Sequence, residues 1–117
     1  MEIAIKNIHE PASPSDGYRV LIDRLWPRGI SKERAALDEW ARDLAPSDEL
    51  RRWYGHDPER FEEFARRYRA ELANHRAELS ALRRRAREGK VTLVFAAHDA
   101  ETSNAAVLAK VLRAGLR

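Results

Sequence analysis

Two short runs bring together side chains that can do chemistry. The first is Asp23-Arg24-Leu25-Trp26-Pro27-Arg28-Gly29, and the second is His98-Asp99 followed by Thr102-Ser103-Asn104. In the first run, Arg24 and Arg28 can grip an anionic or nucleotide-like ligand, and Trp26 offers a stacking face. Asp23 can orient an arginine or exchange a proton. The competing reading is a buried structural Asp23–Arg24 pair with Trp26 filling the core. In the second run, His98 can act as general acid or base. The open N–H groups of a helix beginning around Thr102 favour anions. The plainer alternative is a turn in which Asp99 or Thr102 caps that helix and His98 faces solvent. A third run, Arg51-Arg52-Trp53-Tyr54-Gly55-His56-Asp57, sets arginines beside aromatics, which suits phosphates and bases. It equally describes a short helix that packs its aromatics inward and leaves its charges solvated. The candidate set is therefore Asp23 and His98 as catalytic groups, with Arg24, Trp26, Arg28, His56 and Asn104 as ligand contacts.

Composition removes several classes of chemistry. The chain has no cysteine, so disulfides, thiolate metal sites and cysteine nucleophiles are excluded. A metal site built from His56, His98 and carboxylates lacks an HExxH or comparable close-spaced pattern, and no metal ligands are assigned. Walker, GxGxxG and nucleophile-elbow motifs are absent, so no cofactor is specified. The net charge of +3 is small beside a charged fraction of 35%, because acidic residues nearly balance the arginines. That balance gives little support to nucleic-acid binding. Arg83, Arg84, Arg85 and Arg87 fall at the end of a predicted helix and complement its dipole there. No window reaches the apolar length of a membrane span, and no leader pattern opens the chain, so a cytoplasmic location is the default expectation.

With 117 residues the chain makes one domain with one core. Residues 2–8 alternate apolar and polar, which predicts a first strand. Residues 11–17, rich in Pro, Ser and Gly, form a loop. Val20, Leu21 and Ile22 centre a buried strand over 18–25, and residues 90–97 form another. Ser31 is placed to cap a helix over 32–43 with Ala35, Ala36 and Trp40 on one face. Ser47 caps a short helix that Gly55 ends, and Asp57-Pro58 opens the next. Phe61, Phe64, Ala65, Tyr68, Leu72, Leu79, Leu82 and Ala86 recur at three- and four-residue spacing along a long helix, interrupted near Asn74 and stopped by Gly89. A last helix covers 102–114. Strands joined through helices run parallel, so the expected architecture is α/β: a mostly parallel sheet of about three to four strands covered by helices. In such folds ligands bind beyond the C-terminal ends of the strands, where Asp23 and His98 both fall.

The stretches RVLIDRLWPRGISKE, LDEWARDLAPSDELRRWYGHDPERFEEFARRYRAEL and VTLVFAAHDAETSNAAVL resemble successive signature blocks of the YeaO-like proteins, small bacterial proteins grouped as a domain of unknown function. The resemblance runs from about Tyr18 to Leu108. It implies an α/β fold and an uncharacterised activity. It also draws attention to Asp23, Arg24, Trp26, Arg28, Gly29, Trp53, His56, Asp57 and Asn104, which fall in those blocks. Related domains often carry a cysteine on the last strand and a Cys-His-Arg run after it. Here the residues are Ala96-Ala97-His98-Asp99, so any such thiol chemistry is absent. The combined expectation is binding or processing of a small anionic ligand, a nucleotide or phosphorylated metabolite. The alternatives are a nucleic-acid-binding or regulatory module on the arginine-rich helices, and a partner-binding protein using the long helix.

Overall fold

A computed structural model describes residues 1–116. Four strands, β1 (Ile3–Asn7), β2 (Tyr18–Leu21), β3 (Glu39–Trp40) and β4 (Val91–Phe95), form one sheet in the order β1-β4-β2-β3. Every neighbouring pair is parallel, with Ile3 and Tyr18 flanking Val91 from opposite sides. β4 is central and buried along its whole length. This is why its sequence, Val-Thr-Leu-Val-Phe, runs apolar instead of alternating.

The helices are α1 (Lys32–Ala35), α2 (Asp48–Tyr54), α3 (Phe61–Leu72), α4 (Arg76–Glu88) and α5 (Asn104–Ala114). The larger core lies on one face of the sheet. There Val20, Ile22, Val91, Leu93 and Phe95 meet Phe64, Tyr68, Leu79, Leu82, Leu108 and Leu112. The opposite face carries a smaller cluster of Ile8, Leu21, Ile30, Ala35 and Val94, bordered by Trp26 and Trp40. Among the described residues no helix is long and apolar enough to cross a membrane.

The predicted helix over 32–43 does not form as drawn. It is a single turn ending at Ala36, whose φ of 47° is left-handed. Trp40 lies on a strand instead. The cause is tertiary. The buried Arg19 guanidinium takes the carbonyls of Ala35 and Ala36. Asp38 then exchanges hydrogen bonds with the Arg19 backbone, its N–H donating to the Arg19 carbonyl and its carboxylate accepting from the Arg19 N–H. Together these steer the chain alongside β2. The long helix is two, broken at residues 73–75 as the sequence suggests near Asn74. Ser47 caps α2 through the Leu50 N–H, and Gly55 ends it at φ 54°. Asp57 and Pro58 open one 3-10 turn before α3. α5 starts later than predicted. Its cap is Ser103, which accepts from the Ala106 N–H, whereas Asp99 caps the preceding 3-10 turn. The α4 arginines do more than complement their own dipole. Arg83 donates to the Val111 and Leu112 carbonyls at the end of α5, and Arg85 stacks over Tyr18.

Candidate functional site

The C-terminal ends of β2 and β4 open into a cleft of about 230 Å³. Its walls come from the segment after β2, the end of α2, the segment after β4 and the start of α5. Asp23, Arg24, Trp26, His56 and Asn104 all line it, and so do Arg51, Tyr54 and Ala96. Arg28 and His98 are exposed and do not line it. Arg51 was visible in the sequence only as part of an arginine–aromatic run. No local signal distinguishes its position on the rim from that of Arg52.

Asp23 is held rigidly. One carboxylate oxygen accepts from the Ala96 N–H at 2.9 Å and the other from Asn104 Nδ2 at 3.0 Å. The same Asn104 amide donates to the Ile22 carbonyl, so the start of α5 is pinned to the end of β2. Burial pushes the Asp23 carboxyl above its ordinary value. The Asn104 and Ala96 donors and the nearby His56 draw it partly back. Asp23 and Arg24 do not pair with one another. Arg24 Nε donates to the Pro46 carbonyl and Nη2 to the Ala45 carbonyl, so the guanidinium anchors the segment before α2. It stands in the wall between this cleft and a second hollow beside Ser47 and Glu71.

The aromatic groups supply faces and spend their polar atoms elsewhere. Trp26 Nε1 donates to the Ile30 carbonyl, and Tyr54 Oη donates to the Thr102 carbonyl. Trp26 meets Trp40 edge-on at 5.5 Å, and Trp40 Nε1 donates to the Asp23 carbonyl. Tyr54 stacks on Phe64 at 4.1 Å. His56 sits on the rim with φ 59°, a left-handed conformation that costs a non-glycine residue energy and clusters at ligand sites.

A larger groove of about 510 Å³ lies between β3 and α4. Its four lining carboxylates, Glu39, Asp43, Glu78 and Glu88, are nearly offset by three guanidiniums, Arg42, Arg84 and Arg85. Such a balanced surface selects no charge.

The described residues thus form a small parallel α/β domain with an arginine-bearing cleft at its strand ends. The chain belongs to the DUF488-N3i family, described as the inactive DUF488-N3 subclade, whose model matches residues 2–117. It is 43% identical to the uncharacterized protein YeaO of Escherichia coli (strain K12) over 113 residues, 97% of this chain and 98% of that protein. It is 46% identical over 110 residues to uncharacterized proteins of Mycobacterium tuberculosis (strain ATCC 25618 / H37Rv) and Mycobacterium bovis, covering 94% of this chain and 92% of each. No solved structure matches the chain. The YeaO-like resemblance read from the sequence thus holds over nearly the full length.

Proposed function

We propose that the strand-end cleft binds a small anionic ligand without turning it over. One observation carries this reading. The half-buried Arg24 guanidinium has only backbone carbonyls as hydrogen-bond partners and no carboxylate within ion-pair distance among the described residues. A cation partly removed from water is stabilised by an anion. Arg51 on the same rim adds a second positive charge, engaged only by an exposed Asp48 at 3.5 Å. The cleft is at the small end of ligand cavities, which favours a phosphorylated or carboxylated metabolite over a whole nucleotide.

Binding without turnover is favoured by the chemistry at the cleft floor. Ala96 and Ala97 stand there and carry no nucleophile. The family's description as inactive points the same way. In this reading Asp23 is an acceptor that orients the ligand, while Arg28 and His98 lie outside the contact set.

A thermal-shift panel of inorganic phosphate, sugar phosphates and small carboxylates tests the proposal. A ligand at about a hundred times its Kd adds roughly 2.7 kcal/mol, or several degrees of Tm. The shift is expected in the wild type and in Arg28→Ala, and is expected to fall in Arg24→Met and Arg51→Ala. A shift equal in all four proteins would refute it.

A second reading has one observation in its favour. Arg76, Arg83, Arg87 and Arg113 line a groove of about 510 Å³ between α4 and the end of α5, and among the described residues no carboxylate side chain joins that lining. This suits nucleic-acid phosphates, although Arg83 and Arg113 already donate to backbone carbonyls. A low-salt gel shift, lost in Arg76→Ala/Arg87→Ala, would support it. A blank gel would remove it.

A further inference from the structure

The cleft holds two opposite charges that do not neutralise each other. Asp23 forms no ion pair among the described residues, and neither does Arg24. Each of the two Asp23 oxygens accepts one N–H from the protein and keeps lone-pair capacity for a further donor. Arg24 Nη1 has no protein partner among the described residues. Asn104 Oδ1 likewise has none, because that side chain engages the protein through Nδ2. Among the described residues no buried side-chain polar atom is left without a partner, so Arg24 Nη1 and Asn104 Oδ1 reach solvent. Two other polar atoms of the lining are already occupied. Trp26 Nε1 and Tyr54 Oη are spent on carbonyls. The lining therefore offers a ligand acceptors at Asp23 and Asn104 and donors at Arg24 and Arg51, together with apolar side chains.

We infer that the ligand of this cleft is a small zwitterion. Its phosphate or carboxylate meets Arg24 and Arg51, and its protonated amine meets Asp23 and Asn104. This rests on the anion-binding reading and adds the second charge to it. A simple anion would leave the Asp23 carboxylate uncompensated and would be repelled by it. A simple amine would leave the guanidiniums unmatched. Only a molecule carrying both charges satisfies both sets of groups at once. The apolar walls formed by Leu25, Trp26, Pro27 and Phe64 limit water and strengthen both contacts. They also suit a short alkyl or aryl body linking the two ends.

Matched probes separate the two claims. O-phosphoethanolamine is compared with ethyl phosphate, and phenylalanine with 3-phenylpropionate and phenethylamine, by calorimetry on the full chain. The first pair detects a phosphate anion and the second set a carboxylate anion. At least one zwitterion is expected to bind ten-fold or more tighter than its amine-free partner. Asp23→Asn should abolish that preference, weakening the zwitterion and, with the repulsion removed, tightening the amine-free anion. Because Asp23→Asn disturbs the bonds to Ala96 and Asn104, its Tm is measured alongside, and Arg51→Ala serves as a surface variant that weakens both members of each pair. Equal binding of zwitterion and anion overturns the inference and leaves the anion site standing. Binding by phenethylamine alone, or by none of the five compounds, overturns the inference and the anion-site reading together.

Discussion

Replacing Arg19 with methionine should be the most damaging single charge removal in this protein. Arg19 is 4% exposed. Its Nη1 donates to Asp16 at 2.7 Å, and its Nε and Nη2 donate to the carbonyls of Ala35 and Ala36. Methionine keeps most of the stem's packing but leaves a buried carboxylate short of one partner and two carbonyls short of their donor. Removing one side of a buried pair costs about 3–5 kcal/mol. Here Lys6 still reaches Asp16 at 3.0 Å from a side chain that is 20% exposed, so the lower end, about 3 kcal/mol, applies. At roughly 4 °C per kcal/mol for a chain of this size, Tm should fall by about 12 °C. The pH dependence gives an independent check. Burial raises the Asp16 carboxyl, but hydrogen bonds from the Ser13 N–H, Lys6 and Arg19 outweigh it and hold the group below its ordinary value. A depressed folded value stabilises the protein above about pH 4 and is lost as pH falls through it. Wild type and variant should therefore converge in acid. Urea unfolding from pH 7 to pH 3 measures both effects. A loss under about 1 kcal/mol at pH 7, or a gap that widens in acid, would refute the account of Arg19 as a paired buried clamp.

Three further outcomes follow from the same structure. Gly17→Ala should cost about 1–3 kcal/mol or more by thermal unfolding, because Gly17 has φ 66° and an added Cβ would lie 2.4 Å from the Lys90 carbonyl oxygen. Ser103→Ala should cost about 1 kcal/mol through loss of the α5 cap, and Ser103→Asp, which keeps an acceptor there, should cost less. Asn104→Ala removes a donor that offsets the effect of burial on Asp23, so the Asp23 carboxyl should titrate higher still in an NMR pH titration. A carboxyl raised in the folded state contributes stability at low pH that is lost as pH rises through the folded value. The variant should therefore lose more Tm than wild type between about pH 4 and neutrality.

Much of the site was legible from residue type and strand ends. Asp23 and Asn104 are eighty-one positions apart in the chain yet share a hydrogen bond. Both were marked by the expectation that ligands gather beyond the C-terminal ends of parallel strands. The apolar runs at 20–22 and 91–95 showed the buried strands, because a strand covered on both faces has no polar alternation to keep. Ser47, Gly55 and Asp57 showed their boundaries, because capping is local chemistry within a few residues. The residues around Trp40 were misread for the opposite reason. Local spacing favoured a helix, but a buried arginine from β2 takes the carbonyls that would have continued it. Likewise, His98 and Arg28 carry suitable side chains at suitable positions, yet the turns that hold them leave both outside the cleft lining.

By itself the sequence determined the α/β class, the parallel sheet, the Ser31 and Ser47 caps and the absence of thiol chemistry, since these depend on composition and near-neighbour pattern. The tertiary structure alone decided that Arg51 joins the cleft, that Arg83 serves α5 rather than its own helix, and that Asp23 and Arg24 take separate partners. Those outcomes depend on the direction in which each side chain leaves its element and on what the fold places opposite it. A one-dimensional pattern carries neither quantity.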